Sequence, residues 1–137
     1  MARYSQEGFD VTFIAENDFD EAFVVCVIGT SEDQVDLPGA TTDMPLGVAQ
    51  DTADQYQSIP VRLSGVTKIV ANGAFSKGDL LGIAATTGRV DTISGLDSSF
   101  DGGTATKQQP IGIALQAASA AAEIVEMLIR PLYFPWG

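Results

Sequence analysis

Histidine is missing from all 137 positions of this chain. Its absence removes the commonest general base, the Ser-His and Cys-His nucleophile pairs, and most zinc, copper and non-haem iron sites. Carboxylates are plentiful, with 18 Asp and Glu, and two suitably spaced ones would suffice for glycosidase-type acid-base chemistry. Asp18, Asp20 and Glu21, Glu32 and Asp33, Asp51 and Asp54, and Asp97 and Asp101 all fall in stretches that read as turns or loops, so they read as solvated turn residues. The run Asp97-Ser98-Ser99-Phe100-Asp101-Gly102-Gly103 offers oxygen ligands but lacks the closing bidentate acid of a calcium loop. Residues 73–78 are glycine-rich, yet no Gly-Lys-Ser/Thr ends them and no helix pattern follows, which fails the requirements of a phosphate cradle. The single cysteine, Cys26, lies inside the apolar run Phe23-Val24-Val25-Cys26-Val27-Ile28 and reads as a buried thiol, not a nucleophile. The expectation is a protein with no catalytic residue, no cofactor and no resident metal, and no enzyme activity.

The carboxyl end carries a different chemistry. Arg130-Pro131-Leu132-Tyr133-Phe134-Pro135-Trp136-Gly137 sets three aromatics between two prolines, giving a stiff, extended, apolar segment that is costly to leave in water. Leu132, Tyr133, Phe134 and Trp136 are therefore the candidate partner-binding residues, as anchors inserted into a neighbouring subunit or a larger assembly. The alternative is that the segment folds back and closes its own core.

Charge narrows the partners. Seven basic residues against 18 acidic ones leave a net charge of −11, and Arg3, Arg62, Lys68, Lys77, Arg89, Lys107 and Arg130 are spaced singly. Phosphate-backbone binding needs clustered Lys and Arg, so neither nucleic acid nor an anionic membrane is expected as partner. A basic protein surface would be attracted and met faster. The longest apolar run near the amino end is far below the roughly 20 residues that span a bilayer. The first eight residues lack the apolar stretch of a secretory signal, and one cysteine agrees with a reducing compartment, so synthesis and use in cytoplasm are expected.

The elements around these residues read as strands. Residues 11–15 and 22–28 are rich in β-branched and aromatic side chains and flank an acidic turn, predicting a hairpin. Val35 with Leu37 predicts a short edge strand. Residues 45–49 begin another strand. Ile59, Val61 and Leu63 alternate with polar or proline positions, and Ser64-Gly65 predicts a turn into a second hairpin strand over 66–70. Residues 80–84 and 89–93 flank the turn Thr86-Thr87-Gly88, residues 94–108 read as a long mobile loop, and 110–115 restore a strand. The alanine-rich stretch 117–122 predicts one or two helical turns, and 123–132 a final strand buried on both faces. Pro45-Leu46-Gly47-Val48-Ala49 is echoed by Pro110-Ile111-Gly112-Ile113-Ala114 and in part by Leu81-Gly82-Ile83-Ala84. A central glycine in a short strand suits a close backbone crossing, so the two units are expected to face each other across one core. At 137 residues one domain is expected. The reading is all-β, a small β-barrel or compact sandwich over 11–130, with flexible arms at 1–10 and 131–137.

Residues 44–130 also resemble a known family. Pro45-Leu46-Gly47-Val48-Ala49, Ile59-Pro60-Val61-Arg62-Leu63-Ser64-Gly65-Val66, Phe75-Ser76-Lys77-Gly78-Asp79-Leu80-Leu81, and residues 110–118 running into Ile124-Val125-Glu126-Met127-Leu128-Ile129 are similar to phage capsid decoration, or cement, proteins. The resemblance implies a small β-barrel bound to the outer surface of an assembled head, commonly as a homotrimer at local threefold positions. It implies the major capsid protein as partner, a place in the virion, and stabilised contacts between capsid subunits. Other virion components, such as a tail or head-fibre protein, and a carboxylate-dependent β-barrel enzyme are the alternatives. The amino-terminal hairpin with its acidic turn and the aromatic tail fall outside the residues that carry the resemblance.

Overall fold

The computed structural model describes residues 8–93 and 109–129, and within them every regular element is a strand. In chain order these are β1 (Gly8–Ala15), β2 (Val24–Ile28), β3 (Gln34–Asp36), β4 (Gly47–Ala49), β5 (Ser58–Val70), β6 (Leu80–Ile83), β7 (Val90–Thr92), β8 (Pro110–Ala114) and β9 (Ile124–Ile129). They form one nine-stranded sheet in the order β1-β3-β2-β4-β5-β9-β8-β6-β7, with β1 also paired to β5. The all-β expectation holds.

That extra pairing closes β1, β3, β2, β4 and β5 into a ring. A second ring runs from β5 through β9, β8, β6 and β7, and a parallel bridge between Ala71 and Val90 returns it to the end of β5. The long strand β5 is common to both. Its first half pairs with β1, from Ile14↔Ser58 to Gly8↔Gly65, and its second half pairs with β9, from Gly65↔Ile129 to Val70↔Ile124. The predicted hairpin at Ser64-Gly65 is therefore corrected to one continuous 13-residue strand. Gly65 keeps the left-handed backbone that suggested a turn, with φ of 94°, but here it accompanies a change of partner along the strand.

Further corrections follow from closure. β1 and β2 are not a hairpin, because β3 lies between them, parallel to β1 and antiparallel to β2. Val35 thus belongs to an internal strand, not an edge. Residues 117–122 form no helix: Ala118 bridges Phe75, and Ala122 takes a φ of 73° while its N–H donates to the Ala71 carbonyl at 2.8 Å. β6 and β7 pair antiparallel across the predicted turn. β1 begins at Gly8, inside the stretch read as an amino-terminal arm; the predicted loop 94–108 and the tail 131–137 lie outside the described residues.

The two rings repeat one connection pattern. Phe19 bridges Ala53 in the first, and Phe75 bridges Ala118 in the second. Ala15 pairs in parallel with Val35 as Ala71 does with Val90. Tyr56 N donates to Ala15 O at 2.7 Å as Ala122 N does to Ala71 O, and Tyr56 shares the left-handed backbone with φ of 69°. Gln50 N reaches Pro60 O at 2.8 Å as Leu115 N reaches Glu126 O at 2.8 Å. The sequence echo is the trace of this repeat, since β4 and β8 hold equivalent places. A Cβ on Gly47 would lie 2.5 Å from the Arg62 carbonyl oxygen, and one on Gly112 would collide with the Leu128 carbonyl oxygen, so both crossings require glycine.

The interior is divided into two apolar clusters, one for each ring, and the echoed units share the second, which holds Val48 of β4 together with Ile111 and Ala114 of β8. Ala15, Phe19, Val24, Cys26, Val35, Ala49, Ile59 and Val61 pack in the first; Ile69, Phe75, Leu81, Ile83, Val90, Ile111, Val125 and Met127 pack in the second. β2 and β4 serve both. Alternate side chains leave opposite faces of a strand, so Val24, Cys26 and Ala49 enter the first cluster while Val25 and Val48 enter the second. Burial on both faces is why residues 24–26 carry an unbroken apolar run. The rings are further joined by Val25 N donating to Gly88 O at 2.8 Å and Val70 N to Phe23 O at 2.9 Å.

Candidate functional site

The acidic side chains act mainly as fasteners of turns. Asp18 Oδ1 accepts from Gln55 N at 2.7 Å, Asp43 Oδ2 from Gly39 N at 2.8 Å and Ala40 N at 3.1 Å, and Asp79 Oδ2 from Ser76 N and the Thr92 hydroxyl, both at 2.9 Å. Hydrogen bonds from the Ser119 hydroxyl and N–H hold Glu123 below the usual carboxylate range. Among the described residues, Arg62 pairs with Asp10 at 2.7 Å within the first ring and Arg89 with Glu21 at 2.9 Å between the rings. The Glu21 hydrogen bond raises the Arg89 pKa further. Among the described residues no three His, Cys, Asp or Glu converge as metal ligands.

Two buried groups could carry chemistry. Cys26 is fully buried, and burial pushes its thiol up to about 12, although the Gly47 carbonyl accepts from its Sγ–H at 3.7 Å. A thiol so far from ionisation is a poor nucleophile, as its apolar neighbours in sequence suggested. Glu126 is also buried, and its Oε2 has no hydrogen-bond partner. It stands opposite Lys68 in the β5–β9 register, and the Lys68 ammonium lies 5.7 Å from the centre of the Phe23 ring.

The surface is unevenly divided between the rings. Residues 8–63, the first ring, carry eleven acidic side chains and one basic, whereas residues 64–93 and 109–129 carry four acidic and three basic. Exposed large apolar side chains follow the same division: Phe9, Ile28, Met44 and Tyr56 belong to the first ring, and Ile124 to the second. Ile28 and Met44 are about 70% and 67% exposed and share an open groove of about 500 Å³ with Val27, Asp43, Pro45 and Leu46. β2 and β4 position them: Leu46 N donates to Cys26 O at 2.9 Å, which sets the segment before β4 beside the end of β2.

The predicted partner-binding residues Leu132, Tyr133, Phe134 and Trp136 lie outside the described residues. Ile28 and Met44 were not singled out from sequence, because Ile28 closes a run that reads as wholly buried. Ile28 shares the face of Val24 and Cys26 but is the last residue of β2, where burial gives way to exposure.

The family model described as phage cement protein matches residues 6–130, taking in both rings. Among solved structures, the crystal structure of the head fiber gp8.5 N base in bacteriophage phi29 shares the fold, with a TM-score of 0.64 and 16% identity over 92% of this chain and 97% of that one. No curated protein matches the chain.

Proposed function

This chain belongs to the phage cement protein family, and on that premise we propose that it binds the outer surface of the assembled head and stabilises contacts between neighbouring major capsid proteins. The family gives it a capsid-associated decoration role in the virion. The observation that carries the proposal is the span of the match, which takes in both rings and every described residue. A structural role, without a reaction of its own, accords with carboxylates committed to turns and a thiol held far from ionisation.

The partner is the major capsid protein, and the working unit is a homotrimer. Association suits a chain of this size, since small β domains bury a modest share of their surface alone. In this reading Leu132, Tyr133, Phe134 and Trp136 anchor the carboxyl-terminal segment on a neighbour. Each aromatic buries about 150–250 Å², and several segments presented together gain from effective concentration.

Co-sedimentation with empty heads of the phage that encodes the chain tests the role. The protein is expected in the pellet with saturable stoichiometry; its absence there and from purified virions would remove the proposal. Light scattering that stays at the 14.4 kDa monomer over a wide concentration range would remove the trimer. Deleting residues 133–137 is expected to leave the β-sheet spectrum intact and to weaken assembly or head binding; unchanged binding would make the segment inert.

A further inference from the structure

We propose that the groove between the end of β2 and the segment leading into β4 is the surface that meets the shell, and that its occupant is a protein segment with an apolar anchor flanked by Lys or Arg. The inference rests on the decoration role and adds which ring, and which residues, make the contact.

Ile28 and Met44 stand mostly in water on either side of the groove, with Val27, Pro45 and Leu46 continuing its apolar lining. Its volume of about 500 Å³ exceeds what one large side chain fills, and lies within the usual range of about 300–1,000 Å³ for binding clefts. Nothing in the repeat demands this exposure, because the second ring keeps the same pairings with Ile124 as its exposed large apolar side chain among the described residues.

The groove's rim states the charge of the occupant. Asp43 lines it, Asp36 stands opposite Val27 in the β2–β3 register, and Glu16 accepts from Thr30 N and the Thr30 hydroxyl just beyond Ile28. All three carboxylates are engaged by neutral donors: Asn17 and Leu37 N–H on Asp36, Gly39 and Ala40 N–H on Asp43, and Thr30 on Glu16. The described ion pairs lie elsewhere, on Asp10 and Glu21. A Lys or Arg of the partner therefore meets Asp43 in the groove, with Asp36 and Glu16 on adjoining segments adding to the negative potential, and charge complementarity of this kind sets on-rate and orientation. An apolar anchor alone would not need the rim, and a phosphate or lipid headgroup would be repelled by it.

The experiment is binding of the full chain to empty heads of its own phage, measured by co-sedimentation at 50 and 500 mM NaCl. Ile28→Asp and Met44→Asp are each expected to weaken binding at least tenfold, Met44→Leu to restore it, and the second-ring variant Ile124→Asp to bind within twofold of wild type. High salt is expected to weaken wild-type binding as well. Wild-type binding that both groove variants retain, or that Ile124→Asp alone abolishes, overturns the groove while leaving the decoration role. Groove variants that lower the protein's own oligomeric state with head binding unchanged also overturn it, in favour of a second copy as occupant. Failure of the wild type to bind at either salt overturns the decoration role and the groove with it.

Discussion

Individual residues set the tolerances of this fold. The Cys26 thiol, pushed to about 12 by burial, titrates above an unfolded thiol, which ionises near 8.5. A raised folded-state pKa stabilises the native protein below the unfolded value and loses that stabilisation as pH climbs toward 12. Between pH 9 and 10.5 the wild type is expected to lose about 2 kcal/mol that Cys26→Ala does not lose, at about 1.4 kcal/mol per pH unit. Urea unfolding of both proteins at the two pH values reads this difference, and equal losses would refute it. Gly112 faces the Leu128 carbonyl oxygen, a backbone atom that cannot swing aside. Gly112→Ala is expected to cost about 1–3 kcal/mol by overpacking. The urea midpoint measures this cost, and an unchanged midpoint would show that the crossing tolerates a side chain.

At the scale of elements, the main device is the change of partner along β5. Gly65 pairs with Gly8 on one strand and Ile129 on another, at a φ of 94°. Gly65→Val is expected to destabilise by about 1–2 kcal/mol from left-handed backbone strain alone, with a shift in thermal midpoint as the measurement; an unchanged midpoint would mean the strand relaxes at no cost. This glycine also shows where reading from sequence ran out. Period-two alternation over residues 59–63 and the β-branched run 66–70 were legible, as were β6, β7, β8 and most of β9, because side-chain alternation and turn residues are local signals. Whether Ser64-Gly65 reverses the chain or merely bends it depends on which strands offer edges, and β1 and β9 lie 50 or more residues away. The same non-local term misassigned β1 and β2 as a hairpin, since β3 enters between them from later in the chain. Residues 117–122 failed differently: alanine's helix propensity is weak, and the bridge from Ala118 to Phe75 overrides it. The Pro-x-Gly-x-Ala echo was read correctly as a repeat of close crossings and only in part as one core, because Val48 shares a cluster with Ile111 and Ala114 while Ala49 turns into the other ring. The groove was invisible, since the exposure of Ile28 and Met44 exists only after ring closure.

For the whole molecule, β5 is shared by the rings and β2 and β4 pack on both clusters, so the rings are expected to unfold as one cooperative unit. Opening the first ring strips β1 and β4 from β5 and removes Val25 and Val48 from the second cluster, so neither ring is expected to survive alone. Calorimetric and van't Hoff enthalpies are expected to agree in a single transition; two resolved transitions would refute the coupling. The Arg89–Glu21 pair across the rings, partly exposed on both sides, is expected to add no more than about 1 kcal/mol to that coupling. Duplication also has a mechanical consequence. A load entering at the first ring runs along the backbone of β5 into the second, and it strains the β1–β5 and β5–β9 ladders lengthwise, so that their hydrogen bonds resist together instead of opening one at a time. A chain built this way would take tension as a tie-rod does, through one unbroken member.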